Sequence, residues 1–173
     1  MSVSLYDISV GSYLQALSGM AIVLDKGAEF AAENKIDVDE FVGAKLHDDM
    51  LPFLFQVNCA RLHTIDALES LKSGEFTPPK TIDKRDYKGL QKMIADTIEE
   101  LKGVSAEEVN SSQGDTVVFK FGGHEMPFTA ENFILSFSLP NLNFHITTAY
   151  DILRAKGVPL VKADFLGRMR IGV

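Results

Sequence analysis

Residues 139–157 constrain this chain more than any other stretch. Pro140 fits the first turn of a helix, where its missing N–H leaves no bond unmade, and Gly157 stops that helix just after Arg154 and Lys156. At the helical period, Leu139, Leu142, Ile146, Ala149 and Leu153 fall on one apolar arc that must face a core. Asn141, His145 and Thr148 run along the edge of that arc, closer to the core than an ordinary solvated face. A polar line beside a buried one predicts the wall of a pocket.

Three further helices are expected to supply the core that this arc needs. Ser4 is placed to cap a first one reaching Asn34, with Tyr13, Leu17, Met20, Leu24, Gly27 and Ala31 as its buried stripe. Gly19 and Gly27 suit close approach by a neighbour. Asp48 or Asp49 is placed to cap a second, with Pro52 in its first turn and Gly74 as its stop. Phe53, Val57, Ala60, Ala67 and Leu71 mark its inner side. Residues 74–86, with Pro78 and Pro79, read as a loop. Asp86 then caps a third helix over residues 87–102, with Tyr87, Leu90, Ile94, Ile98 and Leu101 buried.

Next the period changes. Residues 116–121 and 124–128, joined by Gly122 and Gly123, predict a β-hairpin whose second strand Pro127 confines to an edge. Thr129 caps a run that leads, with a bend near Pro140, into the last long helix. The apolar tail (Leu160, Val161, Phe165, Leu166, Met169 and Ile171) is expected to lie against these helices or against a second copy. The expected fold is therefore all-α, an antiparallel four-helix bundle with a small β-hairpin between the third and fourth long helices. With 173 residues, 46% of them hydrophobic, residues 1–173 form one domain with a substantial core.

Charge and cysteine content narrow the setting. A net charge of −7 and a pI near 5.0 argue against a general nucleic-acid binder or a protein of anionic membrane surfaces. The lone Cys59 excludes an internal disulfide framework and fits a reducing compartment. Residues 1–7 carry no basic leader, and no apolar run approaches the roughly 18 residues of a membrane span. A soluble cytoplasmic protein is expected.

On the second helix, Gln56, Ala60, His63 and Ala67 share one line. Should it face Asn141, His145 and Thr148, the alanines leave room for a hollow with an amide and an imidazole from each side. Such a set can bind a small polar ligand, hold a water or support proton transfer by a histidine. The plainer alternative is that the alanines permit close packing and the polar groups pair with one another. Only two imidazoles converge, and Gln56 and Asn141 offer neutral amide oxygens, so no tightly held zinc or nickel is expected and at most a weak divalent ion. His47 and His124 are expected in solvent, and Cys59, four residues before His63, as a packed thiol. The acidic cluster of Asp96, Glu99, Glu100, Glu107 and Glu108 reads as a solvated face.

The run from Leu139, Pro140 and Asn141 through residues 144–154, with Gly157, Val158, Pro159 and Leu160, then residues 164–167, resembles the family known as domain of unknown function nineteen ninety-three. Met50, Leu51, Pro52, Phe53, Gln56, Val57, Ala60 and His63 also look like that family, so the resemblance spans nearly the whole chain. The family is similar to the DinB/YfiT-like metalloenzymes, which are four-helix bundles and often dimeric. That resemblance implies three metal-binding histidines, one on the second helix and two, four apart, on the last. Here those positions carry Gln56, Asn141 and His145, so only one imidazole is retained, with His63 as a substitute two turns from Gln56.

Three readings follow. The first is a homodimeric bundle whose pocket (Gln56, His63, Asn141, His145 and Thr148) binds a small polar molecule without transition-metal catalysis. The second is a metal- or thiol-dependent transferase or isomerase, which the resemblance implies, using His145 and His63. The third is a dimeric interaction or stress-response module without catalysis.

Overall fold

The computed structural model describes residues 3–172; Met1, Ser2 and Val173, within the expected span of the domain, lie outside the described residues. The chain is mostly helical, with one small sheet. Ser4 caps the first helix through a capping box with Asp7, but that helix is short (α1, Leu5–Ile8). At Ser9 the backbone turns to φ −95°, ψ −84°, while the Ser9 hydroxyl donates to the Leu5 carbonyl at 2.6 Å. This local side-chain bond competes with the helix and separates α1 from α2 (Val10–Asn34). Every member of the expected stripe on α2 is buried.

Residues 5–34 correct the expectation about apolar runs. Their most apolar window has a mean hydropathy of 1.3, which makes this helical stretch long and apolar enough to cross a membrane by composition. Here it packs as a core helix, with 44% of that window buried against the rest of the chain.

The second long helix also differs from its expected form. Neither Asp48 nor Asp49 caps it; both lie in an exposed turn, and Pro52 takes the cap position. The reason is backbone supply: the first free N–H groups, of Phe53 and Leu54, donate to the carbonyls of Ala44 and Val42 at 2.8 and 3.0 Å. The helix then breaks at His63 and Thr64 into α3 (Phe53–Leu62) and α4 (Ile65–Ser73). Thr64 leaves helical geometry (φ −124°, ψ −88°), and its hydroxyl donates to Ala60 O at 2.7 Å. Ala67 thus lies beyond the break from Gln56, Ala60 and His63.

Gly74, at φ 74°, ends α4 as expected, but residues 74–86 are not wholly loop. Glu75–Phe76 forms β1 and pairs in parallel with β2 (Thr116–Phe121), which pairs antiparallel with β3 (His124–Thr129). Phe76 is the cause: it buries its ring among Phe119, Phe133 and Phe137. The sheet order is β1-β2-β3, so Pro127 sits on an edge strand, and Gly122 and Gly123, at φ 59° and 82°, make the two-residue turn. This sheet corrects the all-α expectation to mostly helical.

Between β1 and β2 come α5 (Tyr87–Gly103), capped by Asp86 through Gly89 N at 2.7 Å, and the short α6 (Ala106–Asn110). Thr129 caps α7 (Ala130–Asn132), which widens over Phe133–Ser138 into a π turn before α8 (Leu139–Ala155). Pro140 explains the widening. It has no N–H for Ser136, and its ring would collide with the Ser136 carbonyl in an α register, so Leu139 N bonds instead to Ile134 O, five residues back.

The tail is divided. Leu160 is buried, and α9 (Lys162–Leu166) lies on α2 so closely that a Cβ at Gly19 would stand 2.1 Å from the Phe165 carbonyl oxygen. Lys26 reaches Asp164 at 2.8 Å across this contact. Val161, Met169 and Ile171, expected against the helices or against a second copy, are exposed on this chain and so do not lie against its own helices. Opposite, Tyr87 donates its hydroxyl to Leu24 O at 2.9 Å, over the gap left by Gly27.

Candidate functional site

α3 and α8 run side by side, and their facing polar residues meet at one place. Gln56 and His63 come from α3 and its terminus, His145 from the middle of α8. The Gln56 amide is oriented by α3's own approach, since its Nε2 donates to Leu51 O at 2.9 Å. That leaves Oε1 facing His145 Nδ1 at 2.8 Å. An amide oxygen only accepts, so Nδ1 of His145 carries the proton and Nε2 presents its lone pair.

The two imidazoles lie nearly parallel, 13° between planes and 5.6 Å between centroids. His63 is 5% exposed, and its ring also meets Phe76 and the edge of Phe137 at 6.0 and 5.6 Å. Its Nδ1 is buried without a hydrogen-bond partner among the described residues. Burial, with His145 nearby adding charge repulsion, pushes the His63 pKa down to about 3. Burial also lowers that of His145, to about 4. Both rings are therefore neutral at physiological pH. Phe55 and Phe144 flank His145 edge-on at 5.8 and 5.4 Å, and Phe144 is 59% exposed.

Asn141 and Thr148 do not join this group by hydrogen bonds. Asn141 donates its amide nitrogen to Phe137 O, and Thr148 its hydroxyl to Phe144 O, each at 2.8 Å and each within its own helix. Back-bonding of this kind satisfies a polar side chain beside a core without a partner across the interface.

A buried junction that the sequence reading missed holds His63 in place. Because the helix breaks there, the His63 carbonyl is free, and Ser138 Oγ donates to it at 2.7 Å. Tyr13 Oη in turn bonds Ser138 Oγ at 2.5 Å, with both side chains fully buried. The available signal was Thr64 after His63, and Pro140 two residues beyond Ser138.

The remaining candidates lie elsewhere. His47 and His124 are exposed, His47 paired with Asp49 at 2.6 Å. Cys59 is buried, its thiol pushed up to about 12 by burial, and that thiol makes no hydrogen bond with the His63 ring among the described residues. It borders a cleft of about 180 Å³ with Arg61, Asp66, Pro79 and Arg85, on the α5 side of α3. Asp96, Glu99, Glu100 and Glu108 are spread among separate ion pairs with Lys92, Lys102, Arg61 and Lys72.

Among the described residues, no three His, Cys, Asp or Glu side chains come together as a metal cage. Two imidazoles and one amide oxygen, itself already bonded to His145, fall short of the three good protein ligands that a transition-metal site needs. This set does not fit a tightly held transition ion.

The fold and this helix pair define a DinB-like helical protein. The structure superposes on the crystal structure of a DinB family member from Shewanella denitrificans with a TM-score of 0.80 and 29% identity, covering 98% of this chain and 95% of that one. The chain belongs to the domain-of-unknown-function family DUF1993, whose model matches residues 5–166. Comparison with curated proteins gave no match.

Proposed function

We propose that the chain is a binding protein for a small polar molecule, taken at Gln56, His63 and His145 without a tightly held transition metal. In this reading α2, α3 with α4, α5 and α8 are the four antiparallel members of a DinB-like bundle, and the β2–β3 hairpin is inserted before the last. The observation that carries it is the Nδ1 of His63, without a partner among the described residues and held in a buried aromatic setting beside a second neutral imidazole. An unmade buried hydrogen bond costs about 1–3 kcal/mol, so a ligand or water that completes it is favoured. Binding is preferred to transferase or isomerase chemistry because a base near pKa 4 is a weak proton acceptor at neutral pH.

Homodimer formation and a cytoplasmic setting belong to the same proposal. The first is supported by large exposed apolar side chains near the pair, Leu51 and Phe144, and the second by the free, buried Cys59. Melting-temperature shifts across thiols and small metabolites test the site. A ligand that stabilises the wild type and not His145→Ala supports it, whereas one that stabilises both equally removes the site from the proposal. Light scattering at micromolar concentration tests the dimer, and a strictly monomeric species refutes it.

A further inference from the structure

We infer that the ligand class of this site is an uncharged molecule that donates a hydrogen bond, from a hydroxyl, an un-ionised thiol or an N–H, to Nε2 of His145. Its apolar body would lie against Phe55 and Phe144. This inference rests on the binding reading above and narrows it.

Hydrogen-bond direction fixes the tautomer. Leu51 O can only accept, so Gln56 must present Nε2 to it and Oε1 to His145. The chain of bonds therefore fixes one tautomer of His145, with the proton on Nδ1. Nε2 has no protein partner among the described residues, and unlike His63 Nδ1 it is not fully buried. Gln56 is in this sense a positioning residue: it holds His145 as an acceptor.

The surroundings of the imidazole pair are uncharged in their hydrogen-bond and ring contacts. Those partners are Gln56, Phe55, Phe76, Phe137 and Phe144, none of them ionised. Arg61 on α3 is engaged by Glu100 at 2.9 Å and Thr97 at 3.4 Å. Among the described residues, an anion approaching Nε2 meets a lone pair with no charged side chain paired to either ring to compensate it, and a cation finds no carboxylate bonded to the pair. Desolvating either without a partner is costly, which leaves a neutral donor as the ligand that completes the site. The edge-on phenyl rings suit an aromatic or aliphatic body.

The test uses wild-type protein with isotope-labelled histidine and reads the imidazole nitrogens by NMR. Ligand-free protein is expected to show His145 with the proton on Nδ1; the opposite tautomer overturns the inference without any ligand. Para-fluorophenol is expected to move the His145 Nε2 signal and to leave those of His47 and His124 in place. Para-fluoroanisole, which lacks the donor, is expected to bind about tenfold more weakly, the value of one hydrogen bond. Para-fluorobenzoate is expected not to bind. Equal binding of the benzoate, or no response of Nε2 to para-fluorophenol, trifluoroethanol and mercaptoethanol alike, overturns the ligand class. If a metabolite still stabilises wild type but not His145→Ala, the site survives and only its assigned chemistry falls.

Discussion

Acid should weaken this fold through His63, and the size of the effect follows from its burial. The folded-state pKa near 3 lies below the ordinary value of 6.5, so the fold retains the neutral ring while the unfolded chain takes up a proton. Stability from this group is therefore fully present above about pH 6.5 and is lost as pH falls towards 3. Each pH unit in that window removes about 1.4 kcal/mol, so moving from about pH 7.5 to pH 5 costs about 2 kcal/mol, or about 4–8 °C in Tm for a chain of this length. His63→Phe keeps the contacts with Phe76 and Phe137 and removes the titration. Urea unfolding of both proteins at the two pH values isolates the effect, because His145 and the carboxylates remain in each and cancel in the difference. The variant is expected to gain about 2 kcal/mol on the wild type between the two conditions. Parallel stability–pH curves would refute the neutral buried imidazole.

Ser138→Ala leaves the His63 carbonyl and the Tyr13 hydroxyl unpaired in a buried junction, with an expected loss of about 2–3 kcal/mol by chemical denaturation. Tyr13→Phe keeps the Ser138–His63 bond and should cost only about 1 kcal/mol; equal losses would show that the chain of bonds is not ordered this way. Gly19→Ala forces a methyl onto the Phe165 carbonyl, with an expected cost of about 1–3 kcal/mol and faster amide exchange over residues 164–166; an unchanged exchange pattern would contradict the packing of α9 on α2. Treatment with a chelator is expected to leave Tm and the imidazole spectrum of untagged protein unchanged, and a chelator-sensitive Tm would overturn the metal-free reading.

The helical core was legible because its signals are periodic. The stripes of α2, α5 and α8 are repeated many times over, and Asp86 capping α5, Gly74 ending α4 and Thr129 capping α7 mark element ends as expected. The breaks at Ser9 and Thr64 were not legible, because a serine or threonine that bonds its own helix looks in sequence like one that points to solvent. β1 is only two residues long, too short for alternation to register, and depends on Phe76 reaching a distant aromatic cluster. Gln56, His63 and His145 could be proposed from spacing alone. The outcome for Asn141 and Thr148 could not, since the choice between bonding across a helix pair and bonding back is set by geometry. Tyr13 and Ser138 are separated by 125 residues and carry no motif.

The π turn at Phe133–Ser138 also sets the phase of the chain. It lets Phe133 and Phe137 face the sheet while Leu142 and Ile146 face the other helices, two directions that a uniform α-helix would not offer at this spacing. Deleting one residue within it would swing everything upstream by about 100° relative to α8. The aromatic cluster and Ser138's hold on His63 would then be lost together, although no side chain of either had been altered.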